Sequence, residues 1–193
     1  MKNQLFDRRQ FAGSLAPVLF AFAAPAMAQS WYRVNGPGTG TPVAVVPVTA
    51  EEVRWLAYMR EEEKLARDVY EQLLAKWGLS IFRNIAMSEE QHHTAIGTLL
   101  VRYSVPDPAL NKPTGVYVDA KLAALYSQLM AKGLQSAKDA LEVGVLIEKT
   151  DIADLEAALK STVKLDIKRV YTNLMNGSYN HLEAFETTLE ITA

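Results

Sequence analysis

Four apolar stripes in this chain repeat at alternating spacings of three and four residues, and polar groups interrupt each of them at mid-length. The first runs Leu56, Met59, Glu63, Ala66, Tyr70, Leu73 and Trp77. The second runs Ile85, Glu89, His92, Ile96, Leu99 and Tyr103. The third is Leu141, Val145, Glu148, Ile152, Leu155 and Leu159, and the fourth is Ile167, Val170, Leu174, Ser178, His181, Phe185 and Leu189. That spacing is the buried seam of packed helices. Carboxylates and imidazoles on such a seam are costly to bury unless something compensates them. A metal ion is the usual compensation, so the pattern predicts a helical bundle built around a cation.

Local signals place the helix ends. Thr49-x-x-Glu52 is a capping box that opens the first helix, and Gly78 closes it. The second helix is predicted over about 80–103, ended by Pro106 and Pro108. A crossover with Pro113 and Gly115 follows, then a short helix from Asp119 to about Lys132, closed by Gly133. Ser136 caps the third long helix, and the fourth starts near Lys164. Asn176-Gly177 interrupts that last helix and predicts either close packing or a local bulge. Short turns near 78 and 162 make two antiparallel hairpins, and the long link between them is a crossover. The fold class is therefore all-α: a ferritin-like four-helix bundle with a long crossover and one short extra helix, over residues 49–193.

Seam position selects the candidate metal ligands: Glu63, Glu89, His92, Glu148 and His181. Of the adjacent Glu61, Glu62 and Glu63, only Glu63 continues the seam; Glu62 borders it as a supporting residue. Glu90 and His93 are rotated off it. Glu142 falls on the outer face with Lys149 and Glu156. On a helix, residues three apart share a face, so Glu89 and His92 can serve adjacent ions together. The candidates also agree in depth. Glu63 lies about 15 residues before the turn near 78, with Glu89 and His92 about 11 and 14 after it. Glu148 lies about 14 before the turn near 162 and His181 about 18 after it, the same level to within a turn. The competing reading pairs each core glutamate with a cation, for which Arg67, Arg83, Lys168 and Arg169 are available.

Ser178 stands where a symmetric di-metal bundle has a second Glu-x-x-His carboxylate. The centre is then a single metal, an asymmetric pair, or a pair completed by Asp151 or water. Asp151, three residues after Glu148, can reach the same site or hold a ligand. Oxygen and nitrogen donors without sulfur suit iron or manganese, one or two ions, and zinc also fits.

Composition narrows the function. The chain has no cysteine, which excludes thiolate metal sites, thioether haem attachment and thiol catalysis. Arg8-Arg9 precede an apolar run from Phe11 to Ala28 that ends in Ala26-Met27-Ala28, so residues 1–28 are predicted to be a twin-arginine-like export signal. Removing it takes away Lys2, Asp7, Arg8 and Arg9 and moves the net charge from −2 to −4. That argues against nucleic acid as a partner. Residues 29–48, rich in glycine and proline, read as a linker. The expected location is periplasmic or secreted.

Several runs carry a resemblance. Glu63-Lys64-Leu65-Ala66-Arg67-Asp68-Val69-Tyr70 resembles the first-helix run of rubrerythrins. EEEKLARDVY (61–70), NIAMSEEQHH (84–93), ALEVGVLIEKTDIADL (140–155) and VYTNLMNGSYNHLEAF (170–185) together resemble DUF2202, an uncharacterised ferritin-like family. The resemblance covers about residues 50–190. It implies a ferritin-like bundle with a metal site and supplies no activity. Within that family Gly-Ser before the last histidine is ordinary, so Ser178 need not be a decayed ligand.

Three functions follow from these readings. The first is an oxidoreductase whose iron or manganese centre reacts with O2 or peroxide. Lacking cysteine, it would need an external electron donor in place of a cysteine-bound iron. The second is metal sequestration or delivery without turnover. The third is a structural bundle without metal. A homodimer is compatible with all three, and a membrane is a partner only if the signal stays uncleaved.

Overall fold

The computed structural model describes residues 47–192. The export signal assigned to 1–28 lies outside the described residues, and so does the linker apart from Pro47 and Val48. The described chain is five helices: α1 (Ala50–Trp77), α2 (Ser80–Arg102), α3 (Ala120–Gly133), α4 (Ala137–Ser161) and α5 (Leu165–Thr192). No strand occurs among the described residues. The architecture is all-α, a four-helix bundle with a long crossover and one short additional helix.

The caps are those the sequence encodes, except that Gly133 lies inside the end of α3, packed against Leu73, and Leu134 is the C-cap. Thr49 and Glu52 form a reciprocal capping box at the start of α1. Gly78 ends α1 in the left-handed region, φ 69°, which costs a glycine nothing. Asp119 and Ser136 cap α3 and α4 through their side chains. Glu52 does more than cap. Its Oε1 also accepts the backbone N–H groups of Val163 and Lys164 at 2.7 and 2.8 Å, tying the start of α1 to the α4–α5 turn.

Tight turns make α1–α2 and α4–α5 antiparallel hairpins. Across the hairpins α1 packs on α4, and α2 on α5. Both crossings are antiparallel as well: Tyr58 meets Asp154 while Tyr70 meets Glu148, and Phe82 meets Phe185 while Arg102 meets Asp166. The crossover and α3 run back along the α1–α4 side, so α2–α5 is the side they leave uncovered.

Covering the α1–α4 side changes what a seam means on α1. Glu61, Glu62, Glu63, Lys64, Leu65 and Ala66 are all buried, so more than one face of α1 is interior there. The expectation that seam position alone separates Glu63 from its neighbours is corrected accordingly. Glu61 holds the crossover by accepting the N–H groups of Val118 and Asp119 at 2.5 and 2.8 Å. Lys64 pairs with Asp68 and donates to the Pro113 carbonyl at 2.8 Å. Asp68 also accepts from the Gly115 N–H and the Tyr117 hydroxyl.

Hydrocarbon fills the bundle in two blocks. One, toward the α1–α2 turn, centres on Leu65, Val69, Tyr70, Leu73, Phe82, Ile147 and Phe185. The other, toward the opposite end, centres on Trp55, Leu56, Met59, Ile96, Leu99, Leu155, Tyr171 and Leu174. Between them lies a polar layer.

Lys64 and Asp68 are each about 1% exposed, and removing one partner leaves the other charged in a dry interior. We expect Asp68→Ala to destabilise the protein by about 3–5 kcal/mol. Urea unfolding checks this; a loss below about 1 kcal/mol would mean that the pair contributes only as a surface pair does.

Candidate metal centre

The polar layer contains all five candidate ligands selected from the sequence. Glu63 on α1, Glu89 on α2 and Glu148 on α4 are 1%, 3% and 1% exposed. His92 on α2 and His181 on α5 have side chains 12% and 11% exposed, on the uncovered α2–α5 side. His92 Nδ1 lies 2.9 Å from Glu89 Oε2 and 3.4 Å from Glu63 Oε2. His181 Nδ1 lies 2.8 Å from Glu89 Oε1 and 3.5 Å from Glu148 Oε2. Glu89 therefore stands between two donor sets, Glu63–Glu89–His92 and Glu89–Glu148–His181. Within each set the donor atoms lie within 4.8 Å of one another. The imidazoles stack at 5.7 Å between centroids.

These groups fit a cation better than they fit each other. Although Glu89 Oε1 and His181 Nδ1 approach to 2.8 Å, they are misaligned, and neither makes a hydrogen bond. Glu63 Oε1 and Asp151 Oδ1 are likewise buried without a hydrogen-bond partner. Buried polar atoms in this state are rare unless an ion or water completes them. The pairing with basic residues is not what forms: Arg67 turns to Glu90 and Asp68, while Arg83, Lys168 and Arg169 are exposed.

The charges follow from the crowding. Burial raises the Glu63 carboxyl well above its ordinary value, and Asp151 and Glu89 add to the rise. Burial likewise raises Glu148 to about 8 and Asp151 to about 7. Glu89 is the exception. Burial opposes its ionisation, but the contacts with His181 and His92 outweigh it and lower its carboxyl to about 2. Burial opposes protonation of His181 too, yet Glu148 and Glu89 hold it protonated up to about 9. Without a cation, the centre is thus one carboxylate clasped by two imidazoles, with protons on much of the rest.

Supporting residues explain why these side chains stay in place. Tyr70 is fully buried, packs on Phe82 and Phe185, and donates its hydroxyl to Glu148 Oε1 at 2.6 Å. The sequence places Tyr70 on the seam as packing; the structure adds its hold on the Glu148 carboxyl. Ser178 donates to Asp151 Oδ2 at 2.5 Å. Glu62 lies against Asp154 in hydrogen-bonding contact, and the Tyr58 hydroxyl donates to Asp154 at 3.1 Å. A bulge at Asn176-Gly177 does not occur, because α5 is regular there. Close packing is the reason for the glycine: a Cβ at Gly177 would sit 2.7 Å from His92 Cε1 and Nε2. His93, rotated off the seam as expected, is nevertheless buried. Arg60 donates to its backbone carbonyl.

A profile of DUF2202, described as an uncharacterized protein domain, matches residues 52–193. The chain belongs to the DUF2202 family. Similar to it is the uncharacterized protein MJ0754 of Methanocaldococcus jannaschii, 52% identical over 139 residues, which span 72% of this chain and 75% of the relative. The crystal structure of hypothetical protein MJ0754 superposes with a TM-score of 0.75 at 49% identity, covering 79% of this chain and 87% of that one. A DUF305 fragment from Deinococcus radiodurans superposes at a TM-score of 0.56 with 17% identity, over 75% of this chain and 99% of the fragment. That last likeness is one of fold alone. This DUF2202 chain thus carries, in an all-helical bundle, acidic and imidazole groups able to hold metal.

Two outcomes test the geometry. Gly177→Ala should displace His92 and lower metal affinity roughly 10–100-fold while leaving far-ultraviolet circular dichroism unchanged; unchanged affinity would refute the contact. The second concerns pH. Glu148 and His181 hold protons in the folded state that the unfolded chain has released, so both lose stabilisation as pH rises toward about 8 and 9. His93, depressed to about 4, acts oppositely, but its effect is complete below about pH 7. The melting temperature of metal-free protein should therefore fall between about pH 7 and 9 and fall less in Glu148→Gln; a rise would contradict the proton assignment.

Proposed function

We propose that this chain is an exported, ferritin-like metalloprotein. Its Glu63, Glu89, His92, Glu148 and His181 hold one or two iron or manganese ions, and the centre reacts with O2 or peroxide. The observation that carries this reading is the sharing of Glu89 by two Glu/His sets inside a buried layer. A shared carboxylate with one imidazole and one further carboxylate on each side is the donor arrangement of carboxylate-rich di-metal bundles less the one carboxylate that Ser178 replaces. Oxygen and nitrogen donors favour iron or manganese, with zinc as the redox-silent competitor. When bound, iron or manganese supplies the electron-transfer chemistry that O2 or peroxide reduction needs.

The protein's own residues do the rest. Glu63, Glu89 and Glu148 offer negative charge from a layer that excludes bulk water, which strengthens their hold on a cation. Tyr70 fixes the orientation of Glu148. The edges of His92 and His181, slightly exposed on the α2–α5 side, offer a small oxidant its shortest approach. Without cysteine, the electrons come from an external donor. Periplasmic or secreted location is part of the proposal and rests on the Arg8-Arg9 signal pattern.

Metal analysis of protein matured in its native host should find about one or two iron or manganese ions per chain. The loaded protein should then consume peroxide or O2 over repeated turnovers with a chemical reductant. Bound metal without turnover would replace the redox reading with sequestration or delivery. Absent metal, together with unchanged melting of Glu89→Ala and His181→Ala, would overturn the metalloprotein altogether.

A further inference from the structure

The two hairpins contribute to the centre in parallel ways, with one gap. Glu63 on α1 corresponds to Glu148 on α4, and His92 on α2 corresponds to His181 on α5. Glu89, three residues before His92, corresponds to Ser178, three residues before His181. A serine hydroxyl cannot replace a carboxylate in charge or reach. The hydroxyl instead donates to a carboxylate that arrives from the neighbouring helix, Asp151, at 2.5 Å. Ser178 is 1% exposed and Asp151 6%, so this contact is internal.

Asp151 is only half satisfied. Ser178 engages Oδ2, while Oδ1 is buried and has no hydrogen-bond partner. The side of the centre it addresses can be read from its neighbours. Gly177, the residue before Ser178, packs against His92, and the Asp151 carboxylate adds to the charge that Glu63 and Glu89 already crowd together. Asp151 belongs to neither of the tight donor sets, and the packing of Gly177, next to Ser178, on His92 puts it at the Glu63–His92 side. A carboxylate with one oxygen held and the other bare, in a dry layer among other acids, is strongly disfavoured unless a cation is near.

We propose that Asp151 is the fourth carboxylate ligand of the centre, taking from α4 the place that Ser178 leaves open on α5. Oδ1 is the ligating atom. Ser178 is a positioning residue that fixes Oδ2 and so aims Oδ1. Glu63, Glu89, Glu148 and Asp151 then supply four negative charges, which balance two divalent cations with neutral imidazoles. The centre is accordingly dinuclear and asymmetric, with Asp151 on the Glu63–His92 ion. This inference rests on the metal-centre reading above and extends it to a sixth ligand and a second ion.

The test is anaerobic Mn(II) titration of the full chain as wild type, Asp151→Asn and Ser178→Ala, with melting curves of each before and after loading. Asparagine keeps the shape and a partner for Ser178 but removes the charge. Wild type should take up two Mn(II) per chain. Asp151→Asn should take up one, or bind the second at least ~10-fold more weakly. Its metal-free melting temperature should be unchanged or higher, because a crowded acid is gone. Ser178→Ala should keep two ions with a smaller loss of affinity. Two ions at wild-type affinity in Asp151→Asn would overturn the assignment while leaving the centre itself standing. So would a lowered metal-free melting temperature with uptake intact, which marks a purely structural Asp151. No uptake by wild type would remove the centre and this inference together. If Asp151→Asn does not fold, anomalous scattering from crystals of Mn(II)-loaded wild type decides. An Asp151 oxygen about 2.0–2.4 Å from an ion supports the ligand role, and a closest approach beyond ~3.5 Å refutes it.

Discussion

The arrangement depends on one electrostatic constraint: several acids and two imidazoles occupy a single buried layer between two blocks of hydrocarbon. Acids at such density cannot all be ionised, because each carboxylate raises the cost of charging the next. Glu89 keeps its charge only because His92, one turn along α2, and His181, from α5, both approach it. Glu63, Glu148 and Asp151 have no such pair of cations and are pushed toward the neutral form. A divalent ion would invert that ranking, since it would reward every deprotonated donor at once. Metal uptake by this layer would therefore carry proton release with it.

The remainder of the bundle keeps the layer in shape. Hydrocarbon on both sides fixes the helix separation, and the capping box, Gly78 and the Glu52 bridge to the α4–α5 turn fix the helix ends. The crossover is fastened to α1 by Glu61, Lys64 and Asp68, which closes the α1–α4 side to water. The opposite side stays thinly covered at the histidine edges. One wall is thus sealed by polar anchors, while the other leaves the two histidine edges slightly exposed. Membership of DUF2202 and the likeness to MJ0754 establish the fold; the chemistry has to be argued from the donors themselves.

Local signals in the sequence were enough for the helices and for the candidate ligands that meet in the layer. The three–four spacing of Leu56, Met59, Glu63, Ala66 and Tyr70 forces these residues onto one stripe whatever packs against it. Glu89 with His92 share a face for the same reason. Other features depended on contacts distant in sequence. Nothing in the run Glu61-Glu62-Glu63 says that all three are buried, because the wall that buries Glu61 comes from residues 118–119. Nor does Gly177 announce that it makes room for His92, some 85 residues earlier. Tyr70 reads as packing until Glu148 is seen above its hydroxyl.

By itself, then, the chain's periodicity determined four amphipathic rods, their caps, and which acids and imidazoles they carry at mid-length, since helical geometry is set within a few residues. Only the folded bundle decided which of those groups meet, that Glu89 is the shared one, and that Asp151 leans on Ser178 from another helix. Those are questions of rotation and register between rods, and they are settled by packing across long sequence separations, where no local propensity reaches.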